Sequence, residues 1–104
     1  MDLFKNFEDL LNQGKDSAPL RFGLGNAYFE KKEFEQALKH FQAAIHLDPN
    51  YSAAWKYLGK TLVELNQVEK AKDVFEKGIQ IAEKNSDKQA SKEMQVFLKR
   101  LQKK

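Results

Sequence analysis

Apolar residues recur at intervals of three and four along almost the whole chain, which is the spacing of one face of an α-helix. Two clear runs consist of Phe34, Leu38, Phe41 and Ile45, and of Val74, Phe75, Gly78, Ile79 and Ala82. No segment of useful length alternates apolar and polar residues as a half-buried strand would. The pattern therefore predicts an all-α protein.

Three short polar stretches interrupt this pattern and predict where helices end. Gly14 and residues 15–17 can end one helix and cap the next. Pro49 cannot continue a helix, so residues 48–50 predict a second break. Residues 85–87 predict a third break, with Ser86 or Asp87 as the cap of the last helix.

A shift of 34 residues places small and apolar positions on one another. Leu24 and Gly25 fall on Leu58 and Gly59. The other matching pairs are Ala37 with Ala71, Phe41 with Phe75, and Ile45 with Ile79. Matches of this kind are what packing constraints preserve, so the chain contains an internal repeat.

The repeat explains the glycine at position 25, which costs about 1 kcal/mol relative to alanine inside a helix. Because it recurs as Gly59, we interpret it as a place where a neighbouring helix approaches the backbone closely. A phosphate-binding loop would need a third glycine where Tyr28 stands, and a preceding strand. Gly23 does not recur, and a tight local contact or a tolerant solvent-facing position would each explain it.

These residues resemble the tetratricopeptide repeat (TPR) family, whose unit is a helix–turn–helix of 34 residues. The first unit, residues 18–51, matches the family pattern at Leu24, Gly25, Tyr28, Ala37, Phe41, Ala44 and Pro49. The second unit, residues 52–85, matches it at Trp55, Leu58, Gly59, Ala71 and Phe75. Arg21 departs from the usual tryptophan. Glu83 replaces the usual proline, which predicts that the second helix of unit two runs on or turns differently.

The resemblance implies one TPR domain over residues 1–104, a small two-repeat α-α superhelix of six helices with a right-handed twist. Residues 2–13 are expected to form an N-terminal flanking helix, because Leu3, Phe7 and Leu10 lie 34 residues before Ala37, Phe41 and Ala44. Residues 87–102 are expected to form a C-terminal capping helix, since arrays of repeats need a polar outer surface at each end. Its apolar side carries Ala90, Met94, Phe97, Leu98 and Leu101.

The same resemblance implies a non-catalytic protein–protein interaction module, a scaffold whose concave groove holds a peptide or partner segment. Its predicted groove residues are Phe22, Asn26, Phe29, Lys56, Lys60, Val63, Lys88 and Lys92. The lysines raise the hypothesis of an acidic peptide as partner. For each of them, a solvated helix face is the alternative. Phe22 and Phe29 are equally compatible with burial under a terminal helix.

One TPR subfamily grips the acidic tail of heat-shock chaperones with Lys, Asn, Asn, Lys and Arg. In this chain Asn26 matches the first Asn, while Phe22 and Tyr57 stand where Lys and the second Asn belong. The two remaining positions fall on Asp87 and Ser91 in strict register, or on Lys88 and Lys92 after a one-residue insertion. The apolar pattern of the last helix favours the insertion, which gives at most three of five positions.

The composition and the first residues of the chain predict the class of protein and its cellular location. The chain of 104 residues has no cysteine, so it offers no thiolate metal site or nucleophile. Its start, MDLFKNFEDLLNQ, lacks the basic and apolar regions of a secretory signal, and no apolar run reaches the ~18 residues of a membrane span. These features predict a soluble, cytoplasmic protein without a membrane partner.

Catalysis and nucleic-acid binding have little support in the sequence. His40 and His46 lie six residues apart, on different faces of one helix, and are expected at the surface. We expect no enzyme activity, cofactor or metal. For nucleic acid the support is the basic end, Lys99, Arg100, Lys103 and Lys104, with arginine otherwise scarce.

Self-association is the alternative function. The stripe from Ala90 to Leu101 would be the seam of a dimer if it did not pack within the chain, so the sequence predicts a monomer or a weak homodimer. Charge is also uneven, because residues 1–51 hold 6 basic and 8 acidic residues, whereas residues 52–104 hold 12 and 7. The basic second half favours an acidic partner.

Overall fold

The computed structural model describes residues 3–103, and the side chains of residues 5–103. Its helices are α1 Leu3–Asn12, α2 Ala18–Glu30, α3 Phe34–Leu47, α4 Ser52–Glu64, α5 Val68–Lys84 and α6 Lys88–Gln102. No strand occurs in this part of the chain, so the all-α prediction is confirmed. The predicted helix start at residue 2, the side chain of Leu3 and Lys104 lie outside the described residues.

Side-chain caps begin two of the helices at the predicted breaks. The hydroxyl of Ser17 accepts a hydrogen bond of 3.2 Å from the backbone N–H of Leu20 at the start of α2. The carboxylate of Asp87 accepts one of 3.2 Å from the N–H of Ala90 at the start of α6. Such caps stabilise a helix by about 1 kcal/mol each. Of the two candidate caps for α6, the structure therefore selects Asp87.

Three turns share one geometry, in which a single residue takes the left-handed conformation after the helix ends. Lys32, Asn66 and Ser86 have φ values of 62°, 61° and 61°. The residue after each left-handed one donates its N–H to a backbone carbonyl of the preceding helix, from Glu33 to Tyr28, from Gln67 to Leu62, and from Asp87 to Ala82, at 2.8–2.9 Å. The turn from α5 to α6 thus resembles the turns inside each unit. The turn that contains Pro49 has a different form.

The end of α5 and its turn to α6 change the register of the last helix. Helix α5 has 17 residues where α3 has 14, which confirms that the helix runs on past Glu83. The connection to α6 has three residues, 85–87, whereas the one containing Pro49 has four, 48–51. As a result the buried Ala90 and Met94 lie 36 residues after Ala54 and Leu58. The predicted one-residue insertion is wrong, because the register moves by two.

The core is built on two rings that press against two glycines. Phe41 and Phe75 are completely buried, at 0% exposure. A Cβ atom added at Gly25 would lie 2.5 Å from Cε1 of Phe41, and one added at Gly59 would collide with the ring of Phe75. Close approach of a neighbouring helix therefore explains why the glycine recurs. At Gly23, a Cβ would lie 2.7 Å from the ring of Phe7 in α1, so a tight contact is the reason there too.

The two terminal helices are attached differently. Helix α6 packs on α5, with Ala90 and Met94 buried and Phe97, Leu98 and Leu101 partly buried against the same core. The part of the apolar stripe formed by Ala90 and Met94 is therefore covered within the chain, whereas Phe97, Leu98 and Leu101 keep part of their surface exposed. Helix α1 packs on α2, and its Leu10 remains 38% exposed. None of the described helices is both long and apolar enough to cross a membrane.

The ring-on-glycine contact predicts that Gly25→Ala destabilises the fold. Overpacking a core costs about 1–3 kcal/mol, which exceeds the gain of about 1 kcal/mol from the better helix propensity of alanine. The matched control is Gly23→Ala, whose neighbour Phe7 lies half-buried on the lightly attached α1 and can move aside. The free energy of unfolding in urea measures both.

A second variant separates overpacking from any other effect of the substitution. In Gly25→Ala combined with Phe41→Leu, the shortened side chain vacates the space that the new methyl group needs. We expect the double variant to lose less stability than the two single losses added together. Additive losses, or a Gly25→Ala variant as stable as Gly23→Ala, would contradict the contact.

Candidate peptide-binding groove

Helices α2, α4 and α6, the first helix of each unit and the capping helix, contact one another in order along one side of the protein. Between their C-terminal halves lies a cleft of about 250 Å³, with the buried ring of Phe75 at its floor. We call it the central cleft. Its other lining residues are Phe29 of α2, Lys60, Val63 and Glu64 of α4, and Phe97, Arg100 and Leu101 of α6.

An aromatic cluster holds α2 against α4 beside the central cleft. The ring of Tyr57 lies 5.7 Å from Phe22, 5.7 Å from Phe29 in an edge-on arrangement, and 5.8 Å from Phe41, centroid to centroid. Pairs of this kind contribute about 0.5–1.5 kcal/mol beyond their buried area. Phe22 also contacts Tyr51 at 5.1 Å, so its ring belongs to the wall between the helices. Phe29 instead reaches the cleft.

The ammonium group of Lys60 lies over three aromatic rings. Its Nζ is 4.6 Å from the ring centroid of Tyr57 and 5.6 Å from those of Phe29 and Phe97. The negative faces of the rings attract the cation of this half-buried side chain, by about 0.5–1 kcal/mol at exposed sites and about 2 kcal/mol where the cation is desolvated. No carboxylate lies within 4 Å of this ammonium among the residues that the structure describes. Lys60 is thus held by ring faces without an ion-pair partner in that region.

Lys56 is placed differently, because it has an acidic partner in the last helix. Its Nζ lies 2.7 Å from Oε1 of Glu93 and 5.3 Å from the ring centroid of Tyr57. The hydrogen bond from Lys56 lowers the pKa of the Glu93 carboxyl below its usual value. This lysine therefore ties α4 to α6 and is already neutralised by the chain itself.

Lys88 and Lys92 do not join the central cleft. With the register of α6 moved by two residues, the two positions at which the chaperone-tail clamp needs cations are taken by Gln89 and Glu93. Lys88 and Lys92 line a separate depression with Glu83, Ser86, Ser91 and Gln95. Sequence reasoning therefore placed these two lysines on the wrong side of α6.

The structure brings Phe29, Lys60 and Val63 together as lining of one cleft. Lys56 lies one turn before Lys60 on α4, and Asn26 is half-buried on α2, one turn beyond Phe22. The cleft residues that sequence reasoning missed are Glu64, Phe75, Phe97, Arg100 and Leu101. For Phe97, Arg100 and Leu101 the signal was the register of the last helix, which the 34-residue period alone does not supply.

The structure also corrects the expected position of His40. Its side chain is buried, at 5% exposure, whereas a surface position was expected. Its ring stacks on Tyr28, with 5.4 Å between centroids and 6° between planes. Nδ1 of His40 lies 3.1 Å from the guanidinium of Arg21, which also pairs with Asp16 at 2.9 Å. The Tyr28 hydroxyl donates a hydrogen bond of 3.1 Å to Glu8 of α1. These contacts join α1, α2 and α3.

Protonation of His40 is unfavourable in this setting. Burial, and after it the positive charge of Arg21, lowers the pKa of His40 below the usual 6.5. Arg21 donates to Nδ1, so the ring must be neutral to accept that hydrogen bond. In the unfolded chain the same histidine takes up a proton near pH 6.5. The stability that His40 confers is therefore complete above this pH and is lost as the pH falls toward the folded-state pKa.

Replacement of His40 is expected to change how stability depends on pH. In the wild-type protein the thermal midpoint should fall as the pH drops from about 7 to about 5. His40→Gln should flatten that fall, because no histidine then titrates at the junction. His46→Gln is the matched control, since His46 is exposed on the same helix. Equal slopes in the wild type and His40→Gln, measured by circular dichroism, would contradict this role.

The described residues contain no group of three or more acidic or histidine side chains arranged to hold a metal ion. The two histidines of α3 point to different surroundings, since His40 is buried and His46 is exposed. The features of interest on this surface are therefore the shape, the aromatic rings and the charges of the central cleft.

Comparison with known proteins places the chain among repeat proteins. Residues 26–102 match the family model described as Regulator of microtubule dynamics protein 1-3. TPR repeat-containing protein PA0015 of Pseudomonas aeruginosa is 41% identical over 99 residues, which cover 95% of this chain and 94% of that protein.

Solved structures are similar over nearly the whole chain. The solution structure of protein BPP2914 from Bordetella parapertussis is 44% identical, with a TM-score of 0.85 over 97% of this chain and 88% of that one. The second TPR domain of human RPAP3, solved in complex with the HSP70 peptide SGPTIEEVD, is 25% identical. Its TM-score is 0.70 over 96% of this chain and 92% of that one.

Proposed function

The chain belongs to the tetratricopeptide repeat family, with residues 26–102 matching the regulator of microtubule dynamics model, and we propose that it is a non-catalytic module that binds a peptide segment of a partner protein. The segment lies along α4 and enters the central cleft.

The observation that carries the proposal is the central cleft itself. It combines aromatic and aliphatic side chains from α2, α4 and α6 with charged groups at its edge. Peptide grooves join apolar contact surface to a few polar groups that fix orientation. The RPAP3 domain, a structural neighbour, holds a peptide in its complex, which supports the same use of this fold.

The proposal includes a preference for acidic peptides, although fewer of the predicted lysines now support it. Lys60 and Arg100 face the cleft without an ion-pair partner among residues 5–103, whereas Lys56 is paired with Glu93. Two cations against the single carboxylate of Glu64 give the lining a net positive charge. A partner segment with a carboxylate complements that charge.

Two further hypotheses keep less support. Self-association would use the apolar stripe of α6, of which Ala90 and Met94 are already buried by packing within the chain. Nucleic-acid binding rests on the basic end of α6, where aromatic residues are used for packing instead of alternating with cations. A cytoplasmic location, and monomer or weak homodimer as the oligomeric state, stay predictions.

An NMR titration of the ¹⁵N-labelled chain with the peptide SGPTIEEVD tests groove binding. We expect chemical-shift changes centred on Phe29, Lys60, Val63 and Phe97. The amidated peptide, which lacks the terminal carboxylate, should bind more weakly. The double variant Lys60→Gln with Arg100→Gln, which removes both cations of the cleft lining, should lose about fivefold or more in affinity, the range that two solvent-accessible ion pairs supply.

The matched control is Lys88→Gln with Lys92→Gln, which also removes two cations but from a different depression. Because these lysines lie outside the central cleft, their removal should leave the affinity within about twofold of wild type. Shift changes confined to α6 residues 88–95, or equal losses in the two double variants, would contradict the proposed groove.

A further inference from the structure

We propose that the central cleft is an anchor site for one large apolar side chain of the partner, and that a carboxylate close to that side chain meets Lys60 and Arg100. The inference rests on the proposed function, since it places the peptide in the same groove. It goes further by stating which two features the partner segment must combine. The partner is therefore an apolar-acidic peptide, and not a basic or purely acidic one.

The size of the cleft points to a single side chain as its occupant. Its volume is about 250 Å³, just under the range of about 300–1,000 Å³ in which small-molecule sites are found. Its floor and walls are formed by the rings of Phe29, Phe75 and Phe97 and the side chains of Val63 and Leu101. Surfaces of this kind gain most from burying one aromatic or large aliphatic group.

The charges at the cleft require an anion from the partner. Lys60 and Arg100 have no carboxylate within 4 Å among residues 5–103, and Glu64 supplies one negative charge to the same lining. An apolar side chain that enters the cleft removes water from both cations. Charged groups that lose water without gaining a partner oppose binding. A carboxylate carried beside the anchor removes this penalty, and an ammonium or guanidinium group there increases it.

Lys60 links the two features. In the free protein its ammonium covers the faces of three rings, at 4.6–5.6 Å from their centroids. Single cation–π contacts are weak, and the four-carbon stem of lysine is flexible. An incoming anchor can therefore take the ring faces of Phe29 and Phe97 while the ammonium turns to the carboxylate. Lys56 cannot exchange in the same way, because Glu93 holds it.

Short peptides of defined sequence test both features on the full chain. Each peptide is a glycine and serine segment with blocked ends and contains either Trp-Asp, Ala-Asp or Trp-Asn at its centre. Titration into the ¹⁵N-labelled protein gives an affinity for each one. We expect Trp-Asp to bind about tenfold more tightly than Ala-Asp, and about threefold to fivefold more tightly than Trp-Asn.

Two pairs of variants locate the effect. Val63→Trp fills the cleft from α4 and should abolish Trp-Asp binding, whereas Val96→Trp changes an exposed valine outside the cleft and should not. Arg100→Gln should remove most of the preference for Trp-Asp over Trp-Asn. Lys99→Gln, an exposed neighbour that faces another depression, should retain that preference. Because Arg100 is exposed, its replacement leaves the core intact even if Val63→Trp does not fold.

The outcomes separate this inference from the proposed function. Equal binding of Trp-Asp and Ala-Asp, or an unchanged affinity in Val63→Trp, overturns the anchor. Equal binding of Trp-Asp and Trp-Asn, or no effect of Arg100→Gln, overturns the carboxylate contact. If none of the three peptides binds, both parts of the inference are wrong. Binding of SGPTIEEVD in the groove would still uphold the proposed function in every one of these cases.

Discussion

The fold depends on one contact made twice, a phenylalanine ring of one helix lying directly on a glycine of the helix before it. Phe41 on Gly25 and Phe75 on Gly59 bring the two helices of each unit closer than any side chain at the glycine position would allow. The cost of glycine in a helix, about 1 kcal/mol, is offset by the complete burial of a large ring. With this distance fixed, the remaining faces of α2 and α4 meet through Tyr57 and form one wall of the central cleft.

The other wall of the central cleft depends on the connection between α5 and α6. Because the turn at Ser86 has the form found inside a unit, α6 arrives two residues out of the repeat register. That shift sets Glu93 against Lys56 and Phe97 beside Lys60. Hydrogen bonds from Ser52 to Asp87, and from Asn85 to the Asn50 carbonyl, both 2.6 Å, hold the start of α6 in this place. A local turn geometry thus decides which charges reach the groove.

Most of the fold could be predicted from the sequence, because helical spacing, the 34-residue period and the recurring glycine all report local or repeated packing. The groove residues of α2 and α4 were implied by the resemblance to the TPR family, and three of them, Phe29, Lys60 and Val63, line the cleft. The last helix could not be placed in this way. Its apolar residues fit more than one register, and the choice depends on the conformation of Ser86, which no composition or spacing specifies.

His40 illustrates a second limit of sequence reasoning. A lone polar residue on an amphipathic helix is ordinarily assigned to the surface, and its spacing from His46 says only that the two lie on different faces. Its burial depends on Arg21, which stands where unit two has Trp55 and supplies a hydrogen-bond donor to the ring. Departures from a repeat pattern therefore carry information that depends on their neighbours in space.

The position of Lys60 tests the central claim most directly, because that position requires the repeat packing and the shifted register of α6 together. The measurement is the NMR chemical shift of the Lys60 side-chain methylene protons near Nζ, with nuclear Overhauser effects to assigned aromatic protons. The structure predicts upfield ring-current shifts and contacts to Tyr57, Phe29 and Phe97. Unperturbed shifts, or contacts to Val96 in place of Phe97, would show that α6 does not lie in this register.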